Sequence, residues 1–204
     1  MKHEQLSYPE ALKFLAKKYN IEVVEKEFTP EEKQAESERE SMFIINEYAR
    51  DYFMKTLHES HEGKAIGLSY FKERGFREDI IKKFQLGYGL DERNAFSVEA
   101  LRAGFKQEFL IKTGLSGGGE NNSPLYDRFR GRVIFPVHTI SGKVVAFGGR
   151  ILKKADKLAK YVNSPESDIY SKSKELYGIF FAKSAIAKAK KCFLVEGYTD
   201  VISM

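Results

Sequence analysis

Two carboxylates near the end of the printed sequence are the residues best suited to chemistry. The apolar residues Cys192–Val195 run directly into Glu196, and Asp200 follows four positions later. Such a run predicts a short buried strand, with Asp200 at the start of a helix. Open α/β sheets build sites at the carboxyl ends of strands, and a close acidic pair is costly without a cation between them. The pattern is compatible with Mg²⁺, but a surface acid followed by a helix cap explains these residues better when they are taken alone.

Arginines at alternate positions precede a second apolar run, Val133–Val137, which predicts a strand. A spacing of two would place these guanidinium groups on one face. Ser141-Gly142 predicts a turn, and the return strand ends at Arg150. Crowded guanidinium groups favour an anionic partner, so we rank a nucleic acid above a solvated arginine row. The alternating residues are Arg128, Arg130 and Arg132.

Two adjacent glycines, Gly148 and Gly149, lie inside the return strand. Glycine weakens a strand interior because it has no side chain to pack. The pair therefore predicts either a β-bulge or a close approach of a ligand to the backbone.

A segment rich in Lys, Ser and Tyr follows the hairpin. Lys160, Asn163 and Lys172 carry hydrogen-bond donors that suit phosphate and ribose oxygens. By residue type alone, however, a solvated surface loop is the better interpretation of this segment.

Composition limits the class of protein. The chain has 204 residues, of which 42% are hydrophobic and 31% charged, as expected of one sizeable soluble domain or two small ones. No apolar run approaches the roughly 20 residues of a membrane span, and the N-terminus does not resemble a signal peptide. One cysteine excludes an internal disulfide and a Cys-rich zinc site. The net charge of +5 is compatible with a polyanionic partner.

The elements that must position these residues predict an α+β fold. A helical N-terminal part, roughly Met1 to Phe84, leads into a mixed sheet that carries the arginine hairpin. Ser97 is predicted to cap a helix over residues 98–103. A helix from Phe180 to Lys190 is predicted to pack against the last strand, Phe193–Glu196.

Five motifs, taken in order, resemble the bacterial replicative DNA primases (DnaG-type). The resemblance is to the N-terminal part of their RNA polymerase catalytic core, and it ends at the first acidic motif of the Toprim fold. It covers nearly the whole chain and is strongest from Tyr126 to Met204. The motifs are R-F-R-G-R-V-I-F-P, F-G-G-R, K-Y-V-N-S-P-E, L-Y-G and E-G-Y-T-D-V.

The resemblance implies synthesis of short RNA primers on single-stranded DNA by nucleotidyl transfer with two Mg²⁺ or Mn²⁺ ions. Glu196 would be a metal ligand or general base, and Asp200 a second acid of that site. Lys160, Asn163 and Lys172 would contact the incoming ribonucleoside triphosphate. The residues expected to line the template groove are Arg128, Arg130, Arg132 and Arg150.

The resemblance also implies what lies outside this sequence. The family's zinc-binding module, its later Toprim acids and its C-terminal helicase-binding domain are not found here. We therefore expect an interdomain segment at 1–30, a catalytic-core subdomain at 31–190 and the start of a Toprim domain at 191–204. The complete protein would be cytoplasmic and associated with the nucleoid, bind the replicative helicase and avoid the membrane, whereas this chain alone would be inactive.

Two alternatives stay open. The basic hairpin alone would suffice for a non-catalytic module that binds single-stranded nucleic acid. The acidic motif alone would also fit a piece of another Toprim enzyme, a nuclease or a topoisomerase.

Overall fold

The computed structural model describes residues 8–21, 29–119, 123–153 and 159–204. It has the α+β fold that the sequence predicts. The helices are α1 Tyr8–Lys18, α2 Pro30–Glu59, a π-helix Gly63–Leu68, α3 Ser69–Glu73, α4 Glu78–Lys83, α5 Ala95–Arg102, α6 Gln107–Lys112, α7 Ile179–Ala189 and α8 Tyr198–Ser203. The strands are β1 Gly87–Gly89, β2 Ser116–Gly117, β3 Tyr126–Asp127, β4 Arg132–His138, β5 Val144–Ile151 and β6 Tyr161–Asn163.

Helix α2 is the long support of the fold. It begins with a capping box, in which the Thr29 hydroxyl accepts from the Glu32 amide at 3.2 Å and the Glu32 carboxylate accepts from the Thr29 amide at 2.9 Å. Its charged first part is mostly exposed, whereas its second part turns an apolar face inward. The buried apolar residues of that face are Met42, Ile45, Ala49, Phe53 and Leu57.

The central sheet has four antiparallel strands in the order β1-β4-β5-β6. Every residue of β4 is buried, since helices cover both faces of the sheet. On one face Ile134 and Phe147 pack with α2, α5 and α6. On the other face Val133 and Phe135 pack with β1, α3 and α4. The predicted turn at Ser141-Gly142 is confirmed, because the Gly142 amide donates to the Thr139 carbonyl at 3.0 Å.

The arginine segment differs from its prediction. Residues 128–131 form a turn, and strand β4 begins only at Arg132. Gly131 has a φ of 63°, a left-handed conformation that ends any extended backbone at this point. The prediction that a spacing of two places the three guanidinium groups on one strand face is therefore wrong.

The predicted last strand is also wrong. Residues 191–195 have no regular secondary structure, and Phe193 and Leu194 are 63% and 83% exposed. A strand needs a neighbour to pair its amides and carbonyls, and no described strand pairs with this segment. Helix α7 forms as predicted, but it does not pack on a strand at 193–196. It packs near the end of α4, where the Phe181 ring lies 4.7 Å from the Phe84 ring. Among the described residues, no helix combines the length and hydropathy needed to cross a bilayer.

Candidate functional site

A groove of about 660 Å³ lies between the helical layer and the end of strand β5. The π-helix and α3 form one wall, and the end of β5 with the residues between β5 and β6 forms the other. The groove contains two of the predicted binding residues, Arg150 and Lys160, together with Lys153. Its one acidic residue among the described lining residues is Glu73. The lining residues are Ala65, Ile66, Ser69, Tyr70, Glu73, Arg150, Ile151, Leu152, Lys153 and Lys160.

Arg150 is held between two tyrosines. Its Nη1 donates to the Tyr70 hydroxyl at 2.6 Å and to the Tyr161 hydroxyl at 3.2 Å. The guanidinium carbon lies 5.0 Å from the Tyr70 ring centroid and 5.5 Å from that of Tyr161. Arg150 Nε is buried without a hydrogen-bond partner among the described residues. Because Nε is buried and Nη1 donates to the tyrosines, Nη2 is the guanidinium nitrogen left for a ligand in the groove, and the rings fix its orientation.

The other three arginines lie apart from this groove. Arg132 is only 5% exposed, and its Nη1 donates to the carbonyls of Ala159 and Lys160 at 3.0 and 3.3 Å. Val133 pairs with Arg150 across the two strands, so both side chains lie on the same face of the sheet. Arg132 is the neighbour of Val133 on β4 and therefore projects from the opposite face. Arg132 thus ties down the segment that leads into β6.

The remaining two arginines lie in the turn before β4. The Arg130 side chain is exposed, whereas Arg128 is half-buried. Like Arg150, Arg128 has a buried Nε without a hydrogen-bond partner among the described residues. The structure therefore does not bring the four arginines into one row, and their contact with nucleic acid stays a prediction.

The two carboxylates lie at the start of α8. Glu196 is exposed, and Asp200 Oδ2 accepts from the Gly197 amide at 3.2 Å, which closes the first turn of the helix. Carboxylate oxygens suit Mg²⁺, but a two-ion site needs several oxygen ligands for each ion. Among the described residues, no three His, Cys, Asp or Glu side chains converge. This donor set does not fit a two-ion site by itself, and we derive no step through a metal.

Tyr198 positions the acidic segment, and sequence analysis missed it. Its hydroxyl donates to Asn163 Oδ1 at 2.8 Å, and its ring stacks on Phe135 at 5.1 Å with an interplanar angle of 7°. Burial raises the pKa of Tyr198 to about 12, so the hydroxyl remains a donor at neutral pH. The acidic segment and the predicted nucleotide segment are thereby joined through Asn163.

The close approach predicted for Gly148 and Gly149 is made by the protein itself. A Cβ on Gly148 would lie 2.5 Å from the ring of Tyr198, and one on Gly149 would lie 2.8 Å from Phe129. The irregularity in the β4–β5 register falls between Val137 and His138, away from both glycines. Neither the bulge nor the ligand predicted here is needed to explain them.

Lys172 and Lys160 have different surroundings. The Lys172 side chain is exposed, and its backbone amide donates to Glu166 Oε1 at 2.8 Å. This bond holds the loop that bears Lys172 close to the segment after Asn163. Among the described residues, the groove-lining set includes Lys160 but not Lys172, so the nucleotide contact of Lys172 stays a prediction.

Asp127, rather than Ser97, caps helix α5. Its carboxylate accepts from the Phe96 and Ser97 amides at 2.7 and 3.0 Å and from the Ser97 hydroxyl. The helix begins at Ala95, which places Ser97 inside its first turn and makes the predicted Ser97 cap wrong. Burial raises the pKa of Asp127, and these three donors oppose that shift.

Comparison with known proteins gives a consistent result. The domain described as "DNA primase catalytic core, N-terminal domain" matches residues 52–183. The DNA primase of Halalkalibacterium halodurans is 40% identical over 98% of this chain, and that of Deinococcus radiodurans is 36% identical over 98%. The chain spans about a third of the length of these relatives, 33% in each case.

Solved structures agree with the sequence relatives. The RNA polymerase domain of the Mycobacterium tuberculosis primase DnaG is similar with a TM-score of 0.75 and 37% identity, over 81% of this chain and 53% of that one. A DnaG primase catalytic domain bound to single-stranded DNA is similar with a TM-score of 0.71 and 30% identity, over 82% and 52%.

Proposed function

The chain belongs to the DNA primase family through the N-terminal domain of its catalytic core, and on that premise we propose that it is the part of a bacterial DNA primase that binds the template strand. The complete protein synthesises short RNA primers on single-stranded DNA and uses ribonucleoside triphosphates as substrates. In this proposal nucleotidyl transfer is an activity of the whole enzyme, and the residues described here bind the template strand.

The observation that carries the proposal is the cationic groove beside the two tyrosines. Proteins that bind single-stranded nucleic acid without strong sequence preference combine positive charge with aromatic side chains. Arg150 and Lys160 supply the charge, and Lys153 is already paired with Asp91 at 2.6 Å. Tyr161 is 41% exposed and offers an aromatic surface beside Arg150. We assign one backbone phosphate to Arg150 and one to Lys160.

The nucleotide and the metal ions belong to the finer proposal. Because Lys160 lines the groove with Arg150, we assign it to the template instead of the triphosphate, which Lys172 would contact. The Asn163 amide NH₂ remains a donor while its oxygen accepts from Tyr198. In the complete enzyme, Glu196 and Asp200 would contribute two of the carboxylates of a Mg²⁺ or Mn²⁺ site whose other ligands lie outside the described residues. The residues of this chain bind and orient the template and the nucleotide. Tyr198 keeps the acidic segment next to Asn163.

The remaining partners follow from family membership alone. The complete enzyme would bind the replicative helicase and would act in the cytoplasm at the nucleoid. Support for the template as a partner is more direct, since one of the solved relatives is described as bound to single-stranded DNA.

A salt titration tests the groove assignment. Binding of a fluorescent oligo-dT by the 204-residue chain is measured by anisotropy at several salt concentrations. The double variant Arg150→Ala/Lys160→Ala should weaken binding and reduce the slope of log K against log[salt] by about 1.4, since each single-strand phosphate contact contributes about 0.7. Removing an arginine and a lysine that do not line the groove, in Arg102→Ala/Lys106→Ala, should change neither quantity as much.

The control residues are chosen because each already has an acidic neighbour. Arg102 pairs with Glu99 and Lys106 with Glu108, and neither cation lines the groove. Equal losses in the two double variants would mean that net charge alone attracts DNA, and the groove assignment would fail.

A further inference from the structure

Four side chains form a continuous alternating stack, and two of them, Tyr70 and Arg150, line the groove. Arg74 lies 5.2 Å from the Tyr70 ring centroid, Arg150 lies 5.0 Å from the same centroid, and Arg150 lies 5.5 Å from Tyr161. The Arg74 Nη1 also donates to the Thr199 hydroxyl on α8 at 3.4 Å. The Tyr70 ring therefore connects the arginine of the groove with the helix that carries the acidic segment.

Tyr70 makes two different contacts with Arg150. Its ring attracts the guanidinium through a cation–π contact, which is stronger where water is excluded. Its hydroxyl accepts from Arg150 Nη1 at 2.6 Å, which fixes rotation of the fork. Burial raises the pKa of Tyr70, so the ring stays neutral and the oxygen stays an acceptor. A free arginine side chain loses rotamer freedom when it binds an anion, and these contacts remove part of that loss in advance.

The backbone that presents Tyr70 is itself unusual. Helix α3 follows directly from the π-helix, whose wider turn changes which side chains face the sheet. Gly67 in that π-helix lies against Leu57 and Tyr88, where a Cβ would be only 2.7 Å and 2.9 Å from their side-chain carbons. This tight contact fixes the π-helix on the body of the protein, three residues before Tyr70. The tyrosine is thus carried by a packed element, although it lines an open groove.

We propose that Tyr70 is a positioning residue, which orients Arg150 for a template phosphate. This inference rests on the proposed function, because it takes single-stranded DNA as the anion that Arg150 binds. Tyr70 contacts Arg150, and Arg150 contacts the phosphate. The effect of Tyr70 on DNA affinity is then exerted entirely through Arg150.

A double-mutant cycle tests this dependence with the same fluorescent oligo-dT. Arg150→Ala should weaken binding and reduce the salt slope by about 0.7. Tyr70→Leu should weaken binding by about 3- to 10-fold, in line with the loss of one cation–π contact. In the Arg150→Ala background, Tyr70→Leu should have no further effect, whereas a merely structural loss would add to that of Arg150→Ala.

Two further variants keep the test decisive. Tyr70→Phe retains the ring and should lose only about 2- to 3-fold, again only when Arg150 is present. It remains informative if Tyr70→Leu fails to fold. Tyr48→Leu is the matched control, since Tyr48 is a half-buried ring that packs on Phe105 at 4.8 Å in the other core cluster. It should leave both DNA affinity and salt slope unchanged.

The possible failures are distinguishable. Unchanged affinity in Arg150→Ala would overturn the template role of this arginine and with it the inference about Tyr70. A weakened Arg150→Ala combined with a normal Tyr70→Leu, or with additive losses in the cycle, would overturn the inference about Tyr70 and leave the proposed function intact.

Discussion

A single buried residue, His138, sets part of the pH dependence of stability. It is 3% exposed, and its Nε2 lies 2.6 Å from Gln85 Oε1, while its ring lies 5.8 and 5.1 Å from the rings of Phe180 and Phe181. Burial in this aromatic surrounding, helped by the charge of Arg50, lowers the pKa of His138 to about 4. The folded protein therefore holds the imidazole neutral at pH values where the unfolded chain would protonate it.

We expect the free energy of unfolding to fall as the pH drops from about 6.5, the pKa of an unfolded histidine, towards 4. Over this window the unfolded state binds more protons, and the full loss amounts to about 3 kcal/mol. Urea unfolding at a series of pH values measures it. His138→Gln should remove this part of the pH dependence, whereas His61→Gln, at an exposed position, should retain it. Identical pH profiles for His138→Gln and the unmodified chain would contradict the assignment.

The residues of the site divide according to what determines their position. The sequence offered Arg150 and Lys160 as candidate binding residues, but for the template and the nucleotide separately. Their proximity comes from the β5–β6 register, in which Arg150 pairs with Tyr161. Tyr70 could not be predicted, since its bond to Arg150 joins residues 80 positions apart, and an ordinary helical tyrosine gives the same local pattern. Gly148 was predicted in part, because its lack of a side chain indicates that another group approaches the backbone closely. The sequence does not show that this group is the ring of Tyr198.

At the scale of elements, Asp127 fixes helix α5 to the strand that leads into the arginine turn. It is 7% exposed, and its carboxylate accepts from two amides of the first turn of α5. The same contact orders Ser97, whose hydroxyl lies 2.7 Å from that of Ser116. The cap thus connects α5, β2 and β3 through buried polar groups that would be costly to leave without partners.

Asp127→Ala should lower the free energy of unfolding by about 3 kcal/mol, as the sum of a lost cap and of buried donors left unpaired. Chemical denaturation measures this directly. The matched control is Asp79→Ala, an acid in the first turn of α4 that is exposed and pairs with Arg77. It should cost much less than Asp127→Ala, because an ion pair in water contributes little to stability. Similar losses in both variants would mean that the Asp127 network contributes no more than a surface acid.

Element prediction succeeded where pairing is local and failed where it is not. Strands β4 and β5 pair with each other across a short turn, so an apolar run and a turn signal were enough to predict them. The run before Glu196 is also apolar, but pairing decides whether such a run becomes a strand, and no described strand pairs with it. The arginine alternation failed for a related reason, since Gly131 turns the chain before the strand begins.

At the scale of the whole molecule, two layers of helices cover the four-stranded sheet, and Arg150, Asn163 and Tyr198 lie along one of its faces. Register pairs Arg150 with Tyr161 and Gly148 with Asn163, so one ladder carries both the groove arginine and the contact to Tyr198. Helix α8 docks on that ladder while the residues before it are exposed. Hydrogen bonds therefore hold Arg150 and Asn163 in place, whereas Glu196 and Asp200 are exposed at the edge of the fold.

We expect the 204-residue chain to bind single-stranded DNA but to make no primers. Nucleotidyl transfer of this class uses two cations about 3.5–4 Å apart, each with several oxygen ligands at fixed positions. Of the described residues, Glu196 and Asp200 are the acids assigned to that site, and one Asp200 oxygen already accepts from Gly197. Two carboxylates on an exposed helix start cannot fix both ions.

The measurement is RNA synthesis on a single-stranded template with ribonucleoside triphosphates and either Mg²⁺ or Mn²⁺. The full-length Halalkalibacterium halodurans DNA primase serves as the positive control, and oligo-dT anisotropy confirms that the short chain is folded and binds. We expect binding without product. Metal-dependent product from the short chain, abolished by Glu196→Gln, would show that the remaining ligands come from within these residues. The catalytic site would then lie within these residues, next to the groove that Arg150 and Lys160 line.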